Sequence, residues 1–153
     1  TRAAADDSAG RQKRTMLATE VENGNLLAVP DAFVQVLFAP QTAEDKPWLV
    51  NDVRQWMEST PAEGIVGGLL AMRDRDDYVD RLSKLDVPSL VVGAELDMAI
   101  PPDHARALAE GLPNAELHII TGAGHMANLE KPEIFNQILL KFLAKFSVGT
   151  GRT

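Results

Sequence analysis

Two titratable residues, Asp97 and His125, each come just after an apolar, β-branched run of the sequence. Asp97 ends the segment Gly-Ala-Glu-Leu-Asp, and His125 ends the segment Gly-Ala-Gly-His. An aspartate that accepts a hydrogen bond from histidine Nδ1–H fixes the imidazole tautomer and stabilises the imidazolium, which leaves Nε2 free to take a proton from a hydroxyl nucleophile. Glycines beside the histidine permit a sharp turn and a close approach of the backbone to substrate. These residue types therefore predict the acid and base of a nucleophilic catalyst.

The strands and helices that must position this pair are predicted from a change in the spacing of apolar residues along the sequence. Residues 87–93 and 115–121 are short apolar runs typical of strands buried on both faces. Pro101 and Pro102 open a helix between them, and Pro132 opens the last helix. A strand–helix–strand–helix order predicts parallel strands with a right-handed crossover. Neighbouring strands lie about 4.8 Å apart, so the two loops that follow them are expected to meet. Ligands bind beyond the carboxyl ends of such strands, which is where these loops lie.

The part of the chain before residue 85 shows helical patterns and turn signals without a convincing strand. The predicted helices cover residues 11–21, Pro30 to Pro40, a segment opened by Pro47, a segment opened by Pro61 with Thr60 as N-cap, and residues 78–85. The aromatic side chains of these helices are expected to pack in a core, with roofing of an apolar substrate as the alternative: Phe33, Phe38, Trp48 and Trp56. The last helix carries the clearest amphipathic stripe: Phe135, Ile138, Leu139, Phe142 and Phe146.

Residues 87–97 and 122–133, with the two prolines between them, resemble the last two strands of α/β-hydrolase-fold enzymes. The similarity is greatest to bacterial carboxylesterases and 3-oxoadipate enol-lactonase-like hydrolases. It implies that Asp97 is the triad acid and His125 the triad base. It also implies an α/β fold that is the C-terminal part of such a hydrolase, with a helical cap, then β-α-β-α with parallel strands and an incomplete sheet.

This resemblance divides the chain into three regions. Residues 1–75 are expected to form a helical cap or lid, residues 76–146 the β-α-β-α part of the core, and residues 147–153 a disordered tail. The implied activity is hydrolysis of a small carbonyl substrate, an ester or a lactone, without a cofactor. Dehalogenation, epoxide opening, C–C bond hydrolysis and cofactor-free haloperoxidation use a similar histidine and acid on this fold.

The sequence departs from the family pattern at the nucleophile. Such hydrolases carry a G-x-S-x-G elbow on a strand-to-helix turn, and this pattern does not occur in the sequence. The nucleophile and the oxyanion hole are therefore expected on a missing N-terminal segment or on a second chain that completes the sheet, and this chain alone is expected to be inactive. The alternative is a truncated, non-catalytic binding or interaction module.

The residues around the pair allow two interpretations. Met98, Ile100 and Met126 flank it and either line the substrate pocket or pack in the core. Glu95, the second carboxylate after the first strand, is expected to be solvated. His104 is expected to be exposed.

Composition excludes several classes of function. The formal net charge of −7 argues against binding of nucleic acid or an anionic membrane, although a local arginine would suffice for a small anionic substrate. There is no cysteine, and the three histidines lack i, i+4 spacing, so no metal site is expected. No apolar stretch approaches the length of a membrane span, and a cytoplasmic protein is expected.

Overall fold

The computed structural model describes residues 2–146, so the predicted disordered tail at 147–153 lies outside the described residues. The helices are α1 (Ser8–Glu22), α2 (Ala28–Leu37), α3 (Pro40–Asp45), α4 (Pro47–Glu58), α5 (Ala62–Asp74), a 3-10 helix (Val79–Lys84), α6 (Pro102–Gly111), α7 (Ala127–Glu130) and α8 (Pro132–Ala144). The strands are β1 (Ser89–Ala94) and β2 (Ala115–Ile120). The predicted change from helices to alternating strands and helices is confirmed.

The two strands pair in parallel, in register from Ser89 opposite Ala115 to Ala94 opposite Ile120. Helix α6 makes the crossover and packs against both strands. Gly93 permits this packing, because a Cβ at that position would lie 2.8 Å from a side-chain carbon of the crossover helix and 2.8 Å from one of β2. The pairing predicted from the sequence is therefore present, and it places both strand ends at one edge.

Three apolar clusters hold the elements together. One joins α1, α2 and α5, a second joins α2 and α4, and a third lies between the strand ends and the helices that follow β2. Their buried members are Ala18, Val21, Val29 and Leu69; Leu37, Phe38, Leu49 and Val53; and Ala94, Ile120, Ala123 and Ala127.

Helices α1 and α2 begin two or three residues earlier than predicted, and two further differences have a clear local cause. Thr60 is not the N-cap of α5, because its hydroxyl donates to the Trp56 carbonyl at 2.9 Å and so completes the end of α4; Pro61 occupies the cap position. Pro40 does not close α2 but opens α3, which the sequence analysis missed. Both errors arise because a proline is common just after one helix and also at the first turn of the next, and a hydroxyl can bond at either helix end.

Several apolar side chains are less buried than predicted. In each strand most residues are half-buried rather than covered on both faces, since the sheet of the described residues has two strands. Trp48 and Trp56 are 61% and 56% exposed, so their predicted core packing is wrong, whereas Phe38 is buried. The α8 stripe is half-buried at Phe135 and exposed at Phe146.

Within residues 2–146, no helix has the length and apolar character to span a bilayer.

A buried carboxylate fastens the N-terminal segment to the helices. Asp6 is 6% exposed and pairs with Arg2 and with Arg14, whose Nε lies 3.1 Å away. Arg75, which follows α5, donates to the carbonyls of Arg2 and Ala4. Burial opposes the ionisation of Asp6, but the hydrogen bonds from Arg14 and Arg2 outweigh it and hold the pKa of Asp6 below its ordinary value.

Asp6→Asn is predicted to reduce the free energy of unfolding at pH 7. The difference in this free energy between the variant and the wild type is expected to become smaller in acid. A carboxyl whose pKa is lower in the folded state stabilises fully above its unfolded pKa, here near 3.8, and loses that contribution as the pH falls through the folded value. Denaturation at several pH values measures the difference. Asp31→Asn, at the exposed pair with Arg54, is the control and should cost less than about 1 kcal/mol. A difference between Asp6→Asn and the wild type that does not change with pH would contradict the assignment.

Candidate active site

The loops that follow the two strands are joined to each other. The Glu95 amide donates to the Ile120 carbonyl at 3.0 Å, and the Leu96 amide donates to the Ala123 carbonyl at 2.9 Å. These bonds continue the parallel ladder beyond the last paired residues. The segment that carries Asp97 therefore lies directly beside the segment that carries His125.

The carboxylate of Asp97 meets the imidazole of His125 at this edge. Oδ2 lies 2.8 Å from Nδ1, while Oδ1 accepts a hydrogen bond from the Ile100 amide at 2.7 Å. The Asp97 side chain is 9% exposed and the His125 side chain 31% exposed. With both oxygens engaged the carboxylate is held in one orientation, and its acceptor oxygen places the proton of a neutral imidazole on Nδ1. Nε2 is then the acceptor nitrogen of a partly exposed ring.

Glu95 has a role that the sequence analysis missed. Its side chain is exposed as expected, yet Oε2 accepts a hydrogen bond from the Gly122 amide at 2.9 Å. Gly122 has a φ of +65°, a left-handed conformation that favours glycine at the turn before the histidine. The second carboxylate after β1 thus fastens the start of the His125 loop.

A cavity of about 500 Å³ opens beside the imidazole. Met98 and Ile100 line it together with His125, whereas Met126 does not and instead packs against the cluster between α2 and α4. The remaining apolar lining comes mostly from α1 and α2 and includes Phe33. Helices from the first part of the chain therefore form one wall of a cavity whose other wall carries the histidine.

The same cavity also has a basic lining. Arg2, Lys13, Arg14 and Arg75 line it, and Asp6 is the acidic side chain among the described lining residues. Arg2 and Arg14 share the Asp6 carboxylate, and Arg75 bonds to neutral carbonyls. The Lys13 side chain has no hydrogen bond or ion pair to the described residues. The local charge is thus positive in a chain whose formal net charge is −7.

The other two histidines lie apart from this site. His104 is in the first turn of α6 and is half-buried rather than exposed, and His118 lies within β2 opposite Val92. Among residues 2–146, no three histidine or carboxylate side chains form a group that would hold a metal ion.

Comparison with known proteins identifies related sequences. Residues 22–132 match the family described as alpha/beta hydrolase fold. A 2-hydroxy-6-oxononadienedioate/2-hydroxy-6-oxononatrienedioate hydrolase from a Pseudomonas species is 32% identical over 123 residues, which are 79% of this chain and 42% of that protein. A hydrolase of the same name from Paraburkholderia phymatum is 44% identical over 69 residues, 45% of this chain and 24% of that protein. The chain thus spans less than half the length of these relatives.

Solved structures with the same arrangement include two hydrolases. A thermophilic esterase from Thermogutta terrifontis, solved with malate bound, superposes with a TM-score of 0.92 at 28% identity and covers 97% of this chain and 54% of the esterase. The enol-lactonase from Burkholderia xenovorans LB400 superposes with a TM-score of 0.84 at 24% identity and covers 94% of this chain and 54% of that chain. At 24% identity the second similarity shows the fold alone.

Gly124→Ala and Gly67→Ala are predicted to change stability in opposite directions. A Cβ at Gly124 would lie 2.5 Å from the Ala39 nitrogen and 2.6 Å from the Phe38 carbonyl carbon, so backbone must move, at a cost of about 1–3 kcal/mol. A Cβ at Gly67, inside α5, meets nothing within 4 Å and should stabilise the helix by up to about 1 kcal/mol. Chemical denaturation of the two variants measures both. Equal effects would contradict the packing described around Gly124.

Proposed function

Since the chain belongs to the alpha/beta hydrolase fold family, as its strand and loop motifs predicted, we propose that Asp97 and His125 are the acid and the base of a hydrolase active site. The observation that carries this proposal is the 2.8 Å contact between Oδ2 of Asp97 and Nδ1 of His125 at the shared strand edge. A buried acceptor on Nδ1 and a partly exposed ring are what a general base for a hydroxyl requires.

In the proposed reaction, His125 moves the proton and Asp97 orients the ring. Nε2 takes the hydroxyl proton of the nucleophile as its oxygen attacks the substrate carbonyl carbon, and the imidazolium then gives that proton to the leaving group. A water molecule next loses a proton to Nε2 and attacks the covalent intermediate, and the imidazolium returns that proton to the nucleophile oxygen as the acid is released. Asp97 stabilises the imidazolium in both steps without taking the proton itself.

We further propose that the nucleophile and the oxyanion hole come from residues outside the described range, on the same protein or on a second chain. The chain spans less than half of its curated relatives, and its sequence has no G-x-S-x-G elbow. Ser8, Ser59 and Ser89 lie at the ends of helices or at the start of β1, away from any strand-to-helix turn. Within residues 2–146, β1 and β2 pair only with each other, so their outer edges can accept further strands.

The substrate is proposed to be a carbonyl compound, cleaved at an ester, a lactone or a C–C bond, that also carries a carboxylate. The relatives are named as hydrolases of dioates, which are dicarboxylates. The basic wall formed by Arg2, Lys13, Arg14 and Arg75 fits such a group, and within residues 2–146 Lys13 is a cation of this wall without a hydrogen bond or ion pair. Residues 1–75 are proposed to act as the cap, because α1 and α2 supply the wall opposite His125.

In the protein that contains this chain, His125→Asn is predicted to lower kcat by about 10⁶-fold and Asp97→Asn by about 10⁴-fold, because the first removes the base and the second removes its correct tautomer. Steady-state hydrolysis of a chromogenic short-chain ester measures the effect. His104→Asn, on α6, is the matched control and should leave kcat unchanged. Full activity of His125→Asn would contradict the proposed base. Ligand binding without turnover in the wild type would favour a binding module instead.

Lys13→Gln is predicted to raise KM for a monoester of a dicarboxylic acid by about tenfold, since it removes one charge-assisted contact to the free carboxylate. KM for a neutral ester of the same length should change less than twofold, and Lys84→Gln, on the 3-10 helix away from the cavity, should alter neither. Equal effects of Lys13→Gln on the charged and the neutral ester would contradict carboxylate recognition.

A further inference from the structure

Glu130, at the end of the short helix α7, is a third carboxylate near His125, besides Asp97 and Glu95. Its side chain contacts the loop that precedes the histidine. It is 1% exposed, and its side-chain oxygens accept three hydrogen bonds. Oε1 accepts from the Gly124 amide at 2.8 Å, and Oε2 accepts from the Ala39 amide at 2.9 Å and from the Thr42 hydroxyl at 2.6 Å. Lys46 bonds to the backbone carbonyl of Glu130 at 3.0 Å rather than to its carboxylate. One buried side chain thus joins the loop before His125 to the start of α3.

The amides on both sides of His125 are held by this part of the fold. The Gly124 amide is bound by Glu130, and the Met126 amide donates to the carbonyl of Leu37 at 3.1 Å. Leu37 and the two partners of Oε2 all lie within residues 37–42, which lead from α2 into α3. The peptide segment that carries the imidazole is therefore fixed to residues 37–42 at two points.

The packing around Gly124 has no room for a side chain. A Cβ added at Gly124 would lie 2.5 Å from the Ala39 nitrogen, 2.6 Å from the Phe38 carbonyl carbon and 3.0 Å from Oε1 of Glu130. A buried carboxylate is unfavourable unless its oxygens are hydrogen-bonded, and here the three donors come from two distant segments of the chain. An apolar residue would fill the same space without specifying where Gly124 sits.

We propose that Glu130 is a positioning residue that fixes the His125 loop on residues 37–42, so that the imidazole meets Asp97. The inference rests on the proposed function, in which His125 is the base. Glu130 does not touch the imidazole in the described contacts, and it acts through the Gly124 amide. A displacement of the ring by about 1 Å is enough to cost a large part of the rate, on the order of 100-fold.

The test uses the protein that contains both this chain and the proposed nucleophile, and it combines kinetics with the proton NMR signal of the hydrogen-bonded Nδ1–H of His125. Glu130→Ala is expected to lower kcat about 10- to 100-fold with KM within twofold, and to broaden or remove the downfield Nδ1 proton. Glu130→Gln keeps the length of the side chain and one acceptor for Gly124, so it is expected to restore the proton signal and to bring kcat within about fivefold of the wild type. Thr42→Val removes one of three donors and should have an effect no larger than that of Glu130→Gln.

The matched control is Val21→Ala in the apolar cluster between α1, α2 and α5, which has no contact with the loop. It should lower stability without changing kcat or the Nδ1 proton. The proposal is overturned if Glu130→Ala retains both the proton and the wild-type kcat, or if Val21→Ala reproduces its kinetic and spectroscopic losses. If Glu130→Ala does not fold, the double variant Glu130→Gln/Thr42→Val decides, because it weakens the contacts of Oε2 with both Ala39 and Thr42. It should broaden the Nδ1 proton and lower kcat more than either single variant, and an unchanged proton at wild-type kcat overturns the proposal.

The NMR signal separates this inference from the proposed function. If the wild type hydrolyses none of the esters, the proposed function fails, yet the Nδ1 proton of His125 still reports whether Glu130 sets the contact with Asp97. If the wild type is active and Glu130→Ala keeps the Nδ1 proton at full kcat, the proposed function stands and the positioning role fails.

Discussion

The parallel pairing of β1 with β2 is the constraint on which the rest of the site depends. Parallel strands end at the same edge, so the residues that follow them are brought together by topology rather than by a specific loop contact. The bonds from Glu95 and Leu96 across to the second loop extend this pairing to the site. Asp97 and His125 then meet at hydrogen-bond distance although 28 residues separate them in sequence.

The helical part of the chain holds the histidine from the other side. Asp97 contacts the Nδ1 edge of the ring, while the backbone on both sides of His125 bonds to Glu130 and to Leu37. The same helices supply most of the apolar lining of the cavity, and its basic residues come from the N-terminal segment, from α1 and from the residue after α5. The helices therefore contact the loop that carries the proposed base and also line the cavity beside it.

Sequence reasoning found the residues whose positions depend on local pattern. The strands, their order and the meeting of Asp97 with His125 follow from hydrophobic period and from the geometry of parallel strands. Glu130 was not found, because its three partners are defined only by the tertiary packing and two of them lie about 90 residues away in the chain. Pro40 was misplaced for a local reason, since a proline ends one helix as readily as it begins another. The basic wall was missed because its residues come from three separate segments.

A crystal structure of the protein that contains this chain, after reaction with a fluorophosphonate that labels a serine activated by a histidine base, would test the roles of Asp97 and His125 directly. We expect an adduct on a serine other than the five in this sequence, with its Oγ within hydrogen-bond distance of Nε2 of His125 and with Asp97 still on Nδ1. An adduct on a serine remote from His125, or a ring turned away from Asp97 in the labelled protein, would show that His125 is not the base.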